Sequence, residues 1–156
     1  MSHLAVLLDS NLLLLLMVGI TSPDYIPRHK RLRAFSVDDF ALLQKELRVV
    51  TEIVVTPNTL SETSNLIDHI NDPARTRIYQ TLRRFLRLPG GREAYVSSEA
   101  ATAYPELPRL GLTDCALLDL CMDGIPLLTV DLRLYLAVLG RGGKALNFNH
   151  LRDPRQ

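Results

Sequence analysis

Four acids stand where the surrounding residues do not explain an ordinary surface carboxylate. Asp9 sits with Ser10 and Asn11 between two apolar runs, Leu4 to Leu8 and Leu12 to Ile20. Glu62 ends the stretch TPNTLSE, Asp114 lies within GLTDCALL, and Asp131 ends LLTVD. An unpartnered buried carboxylate costs several kcal/mol, comparable to the net stability of a domain. Asp9 must therefore reach water, a hydrogen-bond donor or a cation. If such acids meet, each pair repels by roughly 4 kcal/mol at 4 Å and moderate dielectric. A set of mutually repelling hard oxygen donors suits Mg²⁺ or Mn²⁺. The chemistry open to such a site is activation of a bound water by the ion.

Whether the acids meet depends on the elements that carry them. Leu4–Leu8 is short and continuously apolar, as in a strand buried on both faces. Asp9-Ser10-Asn11 then reads as the strand exit and helix N-cap, with the leucine run as a helix ended by Gly19 and Pro23. Ser36-Val37-Asp38-Asp39 starts a second helix. Glu52–Thr56 is a strand closed by Pro57, and Thr59-Leu60-Ser61-Glu62 reads as a capping box opening a third helix that stops near Asn71-Asp72-Pro73. A fourth helix carries Ile78, Leu82, Phe85 and Leu86. The stretch 92–111 reads as a short strand at Tyr95-Val96, a brief helix and a proline-containing loop. Thr113–Met122 is a helix, Pro126–Val130 a strand, Leu132–Leu139 a helix and Lys144–Phe148 a closing strand.

Strands alternating with helices predict an α/β fold, a three-layer α/β/α sandwich around a mostly parallel sheet. In a parallel sheet each crossover helix begins where a strand ends, so Asp9, Glu62, Asp114 and Asp131 all fall on the carboxyl edge. Open α/β sheets place ligands at that edge. Asp114 shares a helical stripe with Leu117, Leu118 and Cys121, so it crowns the buried face. Each acid also has an ordinary structural reading. Glu62 closes the capping box, Asp114 complements a helix dipole, and Asp131 is a turn residue.

Composition bounds the rest. The chain has 156 residues, 47% hydrophobic and 22% charged, which describes one globular domain (1–151, with a short tail at 152–156) and excludes a disordered chain. A net charge of +1 neither requires nor forbids a nucleic-acid partner. Cys115 and Cys121 lie six apart in one helix and point different ways, so a disulfide is not expected and a reducing cytoplasm fits. Leu12–Ile20 is about half the length of a membrane span, so no membrane is expected. His3, His29, His69 and His150 form no constellation, and surface or capping roles are expected of them. The run Gly140-Arg141-Gly142-Gly143-Lys144 lacks the spacing of a phosphate loop.

At LLDSNLLLLL, TPNTLSE, GLTDCALL and LLTVD, and at the closing ALNFNHL, the sequence resembles the PIN domain family of metal-dependent nucleases, VapC-like toxins in particular. The pieces are short, but they follow in order over almost the whole chain. The resemblance implies a ribonuclease using Mg²⁺ or Mn²⁺, with Asp9, Glu62 and Asp114 as the core ligands and Asp131 as a fourth acid. It implies supporting hydrogen bonds from Ser10, Asn11, Thr113 and Thr129. It also implies the toxin of a toxin–antitoxin pair, a cognate antitoxin protein and a homodimer. The polar stretch Thr21–Ser36 is long for the smallest such toxins. The alternative is a PIN-like module that binds RNA or protein without cutting.

Basic residues cluster twice, at Arg28-His29-Lys30-Arg31-Leu32-Arg33 and along the fourth helix with Arg83, Arg84 and Arg87. Arg28, Lys30, Arg83, Arg84 and Arg87 are the candidates to hold RNA phosphates, and a solvated helix face is the plainer reading.

Overall fold

Ala5–Leu8 forms β1, the central strand of a five-stranded sheet in a computed structural model that describes residues 3–153. The others are β2 (Glu52–Val55), β3 (Gly91–Glu93), β4 (Leu127–Thr129) and β5 (Ala145–Asn147). They lie in the order β3-β2-β1-β4-β5, and every neighbouring pair is parallel. The chain first builds outward from β1 to β3, then returns to place β4 on the other side of β1. Right-handed crossovers put the helices of these two halves on opposite faces of the sheet.

The helices between β1 and β3 are α1 (Ser10–Thr21), α2 (Val37–Leu47), α3 (Pro57–Ile67) and α4 (Ala74–Arg87). Those after β3 are α5 (Ser98–Thr102), α6 (Leu107–Leu110), α7 (Leu112–Met122), α8 (Leu132–Gly140) and α9 (Phe148–Arg152). Strand residues alternate between the two cores. Val6, Leu8, Val55 and Leu128 join α1, α2 and α4, whereas Leu7, Val54 and Leu127 join α7 and α8. The result is an α/β/α sandwich. Helix α1 lies between the sheet and its neighbours α2, α3 and α4, so Leu12 to Val18 are all buried and no polar face interrupts the leucine run. Among the described residues no helix is long and apolar enough to cross a membrane.

Several local expectations are corrected. The strand predicted at Tyr95-Val96 lies earlier, at Gly91–Glu93, and Tyr95 is 79% exposed. Pairing with β2 decides this, because Ile53, Val54 and Val55 stand opposite Gly91, Arg92 and Glu93. Gly91 also permits the tight exit from α4, since a Cβ there would stand 2.6 Å from the Phe85 carbonyl oxygen. Helix α3 starts at Pro57 and not at Thr59. Thr56 is its N-cap and accepts from the Thr59 amide at 3.0 Å, while proline at the first helical position has no N–H to satisfy. It ends at Ile67, before the predicted stop.

The closing region continues past β5 into α9, and Arg152 donates to Asp39 and to the Ala34 carbonyl. Arg152, expected in the tail, thus belongs to this helix, and residues 154–156 of the expected tail lie outside the described residues. His29, in the predicted basic stretch, is fully buried and caps a turn by accepting from the Arg31 amide.

Gly19 does not end α1, which runs to Thr21. It lets the helix approach α2 closely, because a Cβ at this position would stand 2.3 Å from ring carbons of Phe40. Gly19→Ala is expected to cost about 1–3 kcal/mol through overpacking. A urea titration reads this as a lowered midpoint, and an unchanged midpoint refutes the close-packing role.

Candidate functional site

The strand order reverses at β1 and β4. Their C-terminal loops lead to opposite faces of the sheet, and a crevice opens between them. Asp9 stands at the end of β1 and Asp131 two residues beyond β4. The crevice has a volume of about 290 Å³, and all four predicted acids line it. Ser10, Asn11 and Thr113 line it too, with Leu110, Gly111 and Leu112 as the remaining wall.

Asp9 resolves its position in the apolar run through hydrogen bonds. It is the N-cap of α1, with Oδ1 accepting from the Leu12 amide at 2.8 Å. Its Oδ2 accepts from Thr129 Oγ at 2.5 Å and the Val130 amide at 2.8 Å, joining the ends of β1 and β4. Thr129 in turn accepts from the Asp131 amide at 2.9 Å, so one hydroxyl links two of the acids. Burial pushes the Asp9 carboxyl above its usual range; bonds from Thr129, Leu12 and Val130 oppose that, and nearby Asp131 adds to it.

Asp131 is the N-cap of α8, with Oδ1 accepting from the Leu134 amide at 3.0 Å. This is a capping position and not a simple turn. Asp114 lies in the first turn of α7, where the helix dipole favours negative charge. Gly111 precedes that helix at φ 84° without a side-chain cap, so nothing but the acid complements this end. Glu62 lies beyond the first turn of α3 and is free of the predicted capping box, because the helix begins earlier. Its Oε1 accepts from Ser10 Oγ at 3.0 Å.

Among the described residues no cation forms an ion pair with this group. The ion pairs among the described residues join Arg75 to Asp72, Arg92 to Glu52, Arg141 to Glu106, Arg152 to Asp39, and His3 to Glu52. The effect is plainest at Asp114, whose carboxyl is pushed up to about 7. Burial is the largest cause, followed by the charges of Asp131, Asp9 and Glu62 in that order. Asp114 thus feels the other three acids across the crevice. Among the described residues, however, no three acid, histidine or cysteine side chains are already grouped closely enough to hold a metal ion. As a donor set, hard oxygens without a counter-cation fit a divalent ion such as Mg²⁺ or Mn²⁺.

The predicted basic residues are not brought together. Arg28 and Lys30 are exposed on the segment between α1 and α2, and the Arg28 guanidinium lies 5.2 Å from the Tyr25 ring centroid. Arg83, Arg84 and Arg87 are exposed on the half of α4 that descends to the start of β3, at the edge opposite the acids. Two exposed cations that sequence reading did not single out stand within two residues of crevice-lining positions in the chain. Arg109 precedes Leu110 in the wall, and Arg133 follows Asp131 in the first turn of α8; both are exposed. Isolated arginines carry no periodic signal, and only the fold reveals their position. Comparison with models of known families and with curated proteins finds no match to this chain.

Proposed function

We propose that this chain is a PIN-type, metal-dependent endoribonuclease acting on single-stranded or structured RNA. The observation that carries the reading is the set of four carboxylates lining the switch-point crevice, none of them paired with a cation among the described residues. Like charges gathered without compensation destabilise the fold, and a bound divalent ion turns that cost into affinity. Asp9, Glu62 and Asp114 would hold the ion, with Asp131 beside them. When bound, such an ion polarises a phosphodiester oxygen and lowers the pKa of a water.

The chain's own groups prepare the site. Thr129 and the Val130 amide orient Asp9, Ser10 orients Glu62, and Asn11 and Thr113 offer hydrogen bonds from the crevice wall. Arg109 and Arg133, exposed and next to crevice residues in the chain, would attract RNA phosphates. Hydrolysis would leave a 5′-phosphate and a 3′-hydroxyl.

The rival reading, a PIN-like module that binds without cutting, is favoured by the absence of a ready-made ligand trio among the described residues. A scaffold, however, gains nothing from four repelling acids. The toxin assignment, with a cytoplasmic setting, a cognate antitoxin and a homodimer, extends the same proposal. A stripe at helical spacing on α8 supports a protein partner: Leu132, Leu136 and Leu139 are exposed on the side away from buried Leu134 and Val138.

The deciding experiment incubates EDTA-treated protein with a pool of single-stranded RNAs, with and without Mn²⁺ or Mg²⁺. Cleavage that requires the ion and disappears in Asp9→Asn is expected. Expression of the parent is expected to slow growth, and expression of Asp9→Asn is not. Equal behaviour of parent and variant in both assays refutes the nuclease.

A further inference from the structure

Away from the acid crevice, toward the far end of α8 from Asp131, lies a second polar cluster that the proposed chemistry does not use. Glu106, at the N-cap of α6, is 8% exposed, and both of its carboxylate oxygens accept from Arg141, at 2.5 Å from Nε and 2.8 Å from Nη2. Arg141 is the C-cap of α8, the helix that Asp131 begins. Its guanidinium also lies 5.1 Å from the centroid of the Tyr104 ring. Tyr104 in turn donates its hydroxyl to Asp119 at 2.8 Å, on α7, the helix that carries Asp114.

The cluster thus ties together three elements. These are α6, whose Leu110 lines the crevice with Gly111 beyond it, α7 with Asp114, and α8 with Asp131. All three belong to the half of the molecule built after β3. On the other half Asp9 is held by its own hydrogen bonds, and Ser10 bonds Glu62. Asp114 makes no such bond among the described residues, and it faces Asp131 across two helices that both run away from the carboxyl edge. Repulsion between acids at the heads of α7 and α8 drives those heads apart, and a link lower down opposes it. A bidentate arginine–carboxylate pair is suited to this because its fork fixes orientation as well as distance.

We propose that Arg141, Glu106 and Tyr104 are positioning residues that clamp α6, α7 and α8 so that Asp114 and Asp131 stay preset for a divalent ion. The proposal rests on the metal-dependent reading of the crevice. It assigns the clamp no contact with RNA and no part in the reaction itself. Its signature is a weaker hold on the ion in a protein that remains folded.

The test is Mn²⁺ binding to the full chain, measured by electron paramagnetic resonance of the free ion, for the parent, Arg141→Gln, Arg141→Lys and Tyr104→Phe. Arg141→Gln is expected to weaken Mn²⁺ about tenfold, and Arg141→Lys less, because the charge remains while the fork is lost. Tyr104→Phe keeps the ring beneath Arg141 and removes the bond to Asp119, so it folds even where Arg141→Gln does not; a loss of at least twofold is expected. Cleavage at saturating Mn²⁺ is expected to return to near the parent rate. Variants that bind Mn²⁺ as the parent does, whatever their melting temperatures, overturn the clamp alone. A parent that binds no Mn²⁺ overturns the metal-dependent reading beneath it.

Discussion

Asp9→Asn is expected to lower RNA cleavage about a thousandfold and to destabilise the folded protein, both from one substituted oxygen. The activity loss follows if Asp9 is a ligand on which the reaction depends, by analogy with the hundred- to thousandfold cost, or more, of removing an electrostatic catalytic group. The stability loss follows from donor counting. Asp9 accepts from the Leu12 amide on one oxygen and from Thr129 and the Val130 amide on the other. Asparagine has one oxygen and one amide group, so whichever way it turns, an N–H faces a backbone N–H in a buried setting. Losing such a bond and leaving its donor unsatisfied costs about 1–3 kcal/mol. Cleavage rates and urea midpoints measured on the same preparation check both parts. A variant as stable as the parent contradicts the bonding described for Asp9, and a variant as active as the parent contradicts its role.

Asp114→Asn is expected to abolish cleavage while making the metal-free protein more stable, the opposite sign in stability. Folding raises the Asp114 carboxyl from 3.8 to about 7, through burial first and then the charges of Asp131, Asp9 and Glu62. The folded state thus keeps a proton that the unfolded chain releases at lower pH. The resulting stabilisation is complete below pH 3.8 and is lost as the pH rises through about 7. At about 1.4 kcal/mol per pH unit the loss approaches about 4 kcal/mol, and solvent at the half-buried group reduces it. Asparagine has nothing to titrate. At pH 8 in EDTA the variant should exceed the parent by about 2–4 kcal/mol, and at pH 4 the difference should vanish. Mn²⁺ should stabilise the parent selectively at pH 8, because the ion binds the deprotonated acids. Parallel pH profiles for parent and variant would show that Asp114 does not carry this charge.

The two substitutions differ because the acids are held differently. Asp9 is satisfied by donors and braces two strand ends. Asp114 has no donor among the described residues and stands against three like charges. A site whose members range from structural to strained is consistent with strain being kept where function needs it.

Much of this arrangement is legible without coordinates. The apolar run Leu4–Leu8 followed by a capping acid specifies a strand leading into a helix, because burial and capping are local demands. The repeated alternation of strand and helix specifies a parallel sheet, and with it the edge on which Asp9, Glu62, Asp114 and Asp131 fall. Short elements are illegible where local pattern is weak. Gly91–Glu93 has no strand-like composition and becomes β3 by pairing with β2, while the better-looking Tyr95-Val96 does not. Gly19 looks like a helix stop and is instead the close contact for Phe40, a fact that depends on a residue twenty-one positions away.

Sequence by itself determined the longer elements and the edge that carries the acids, since hydrophobic period and crossover topology act through near neighbours and chain direction. Only tertiary structure decided the strand order, and hence that β1 and β4 adjoin and open the crevice between Asp9 and Asp131. It alone decided that, among the described residues, no arginine pairs with the acids, that the basic half of α4 lies at the opposite edge, and that Glu106 and Arg141 meet across 35 residues. Those outcomes depend on how helices and strands pack in three dimensions, where distance along the chain carries little information.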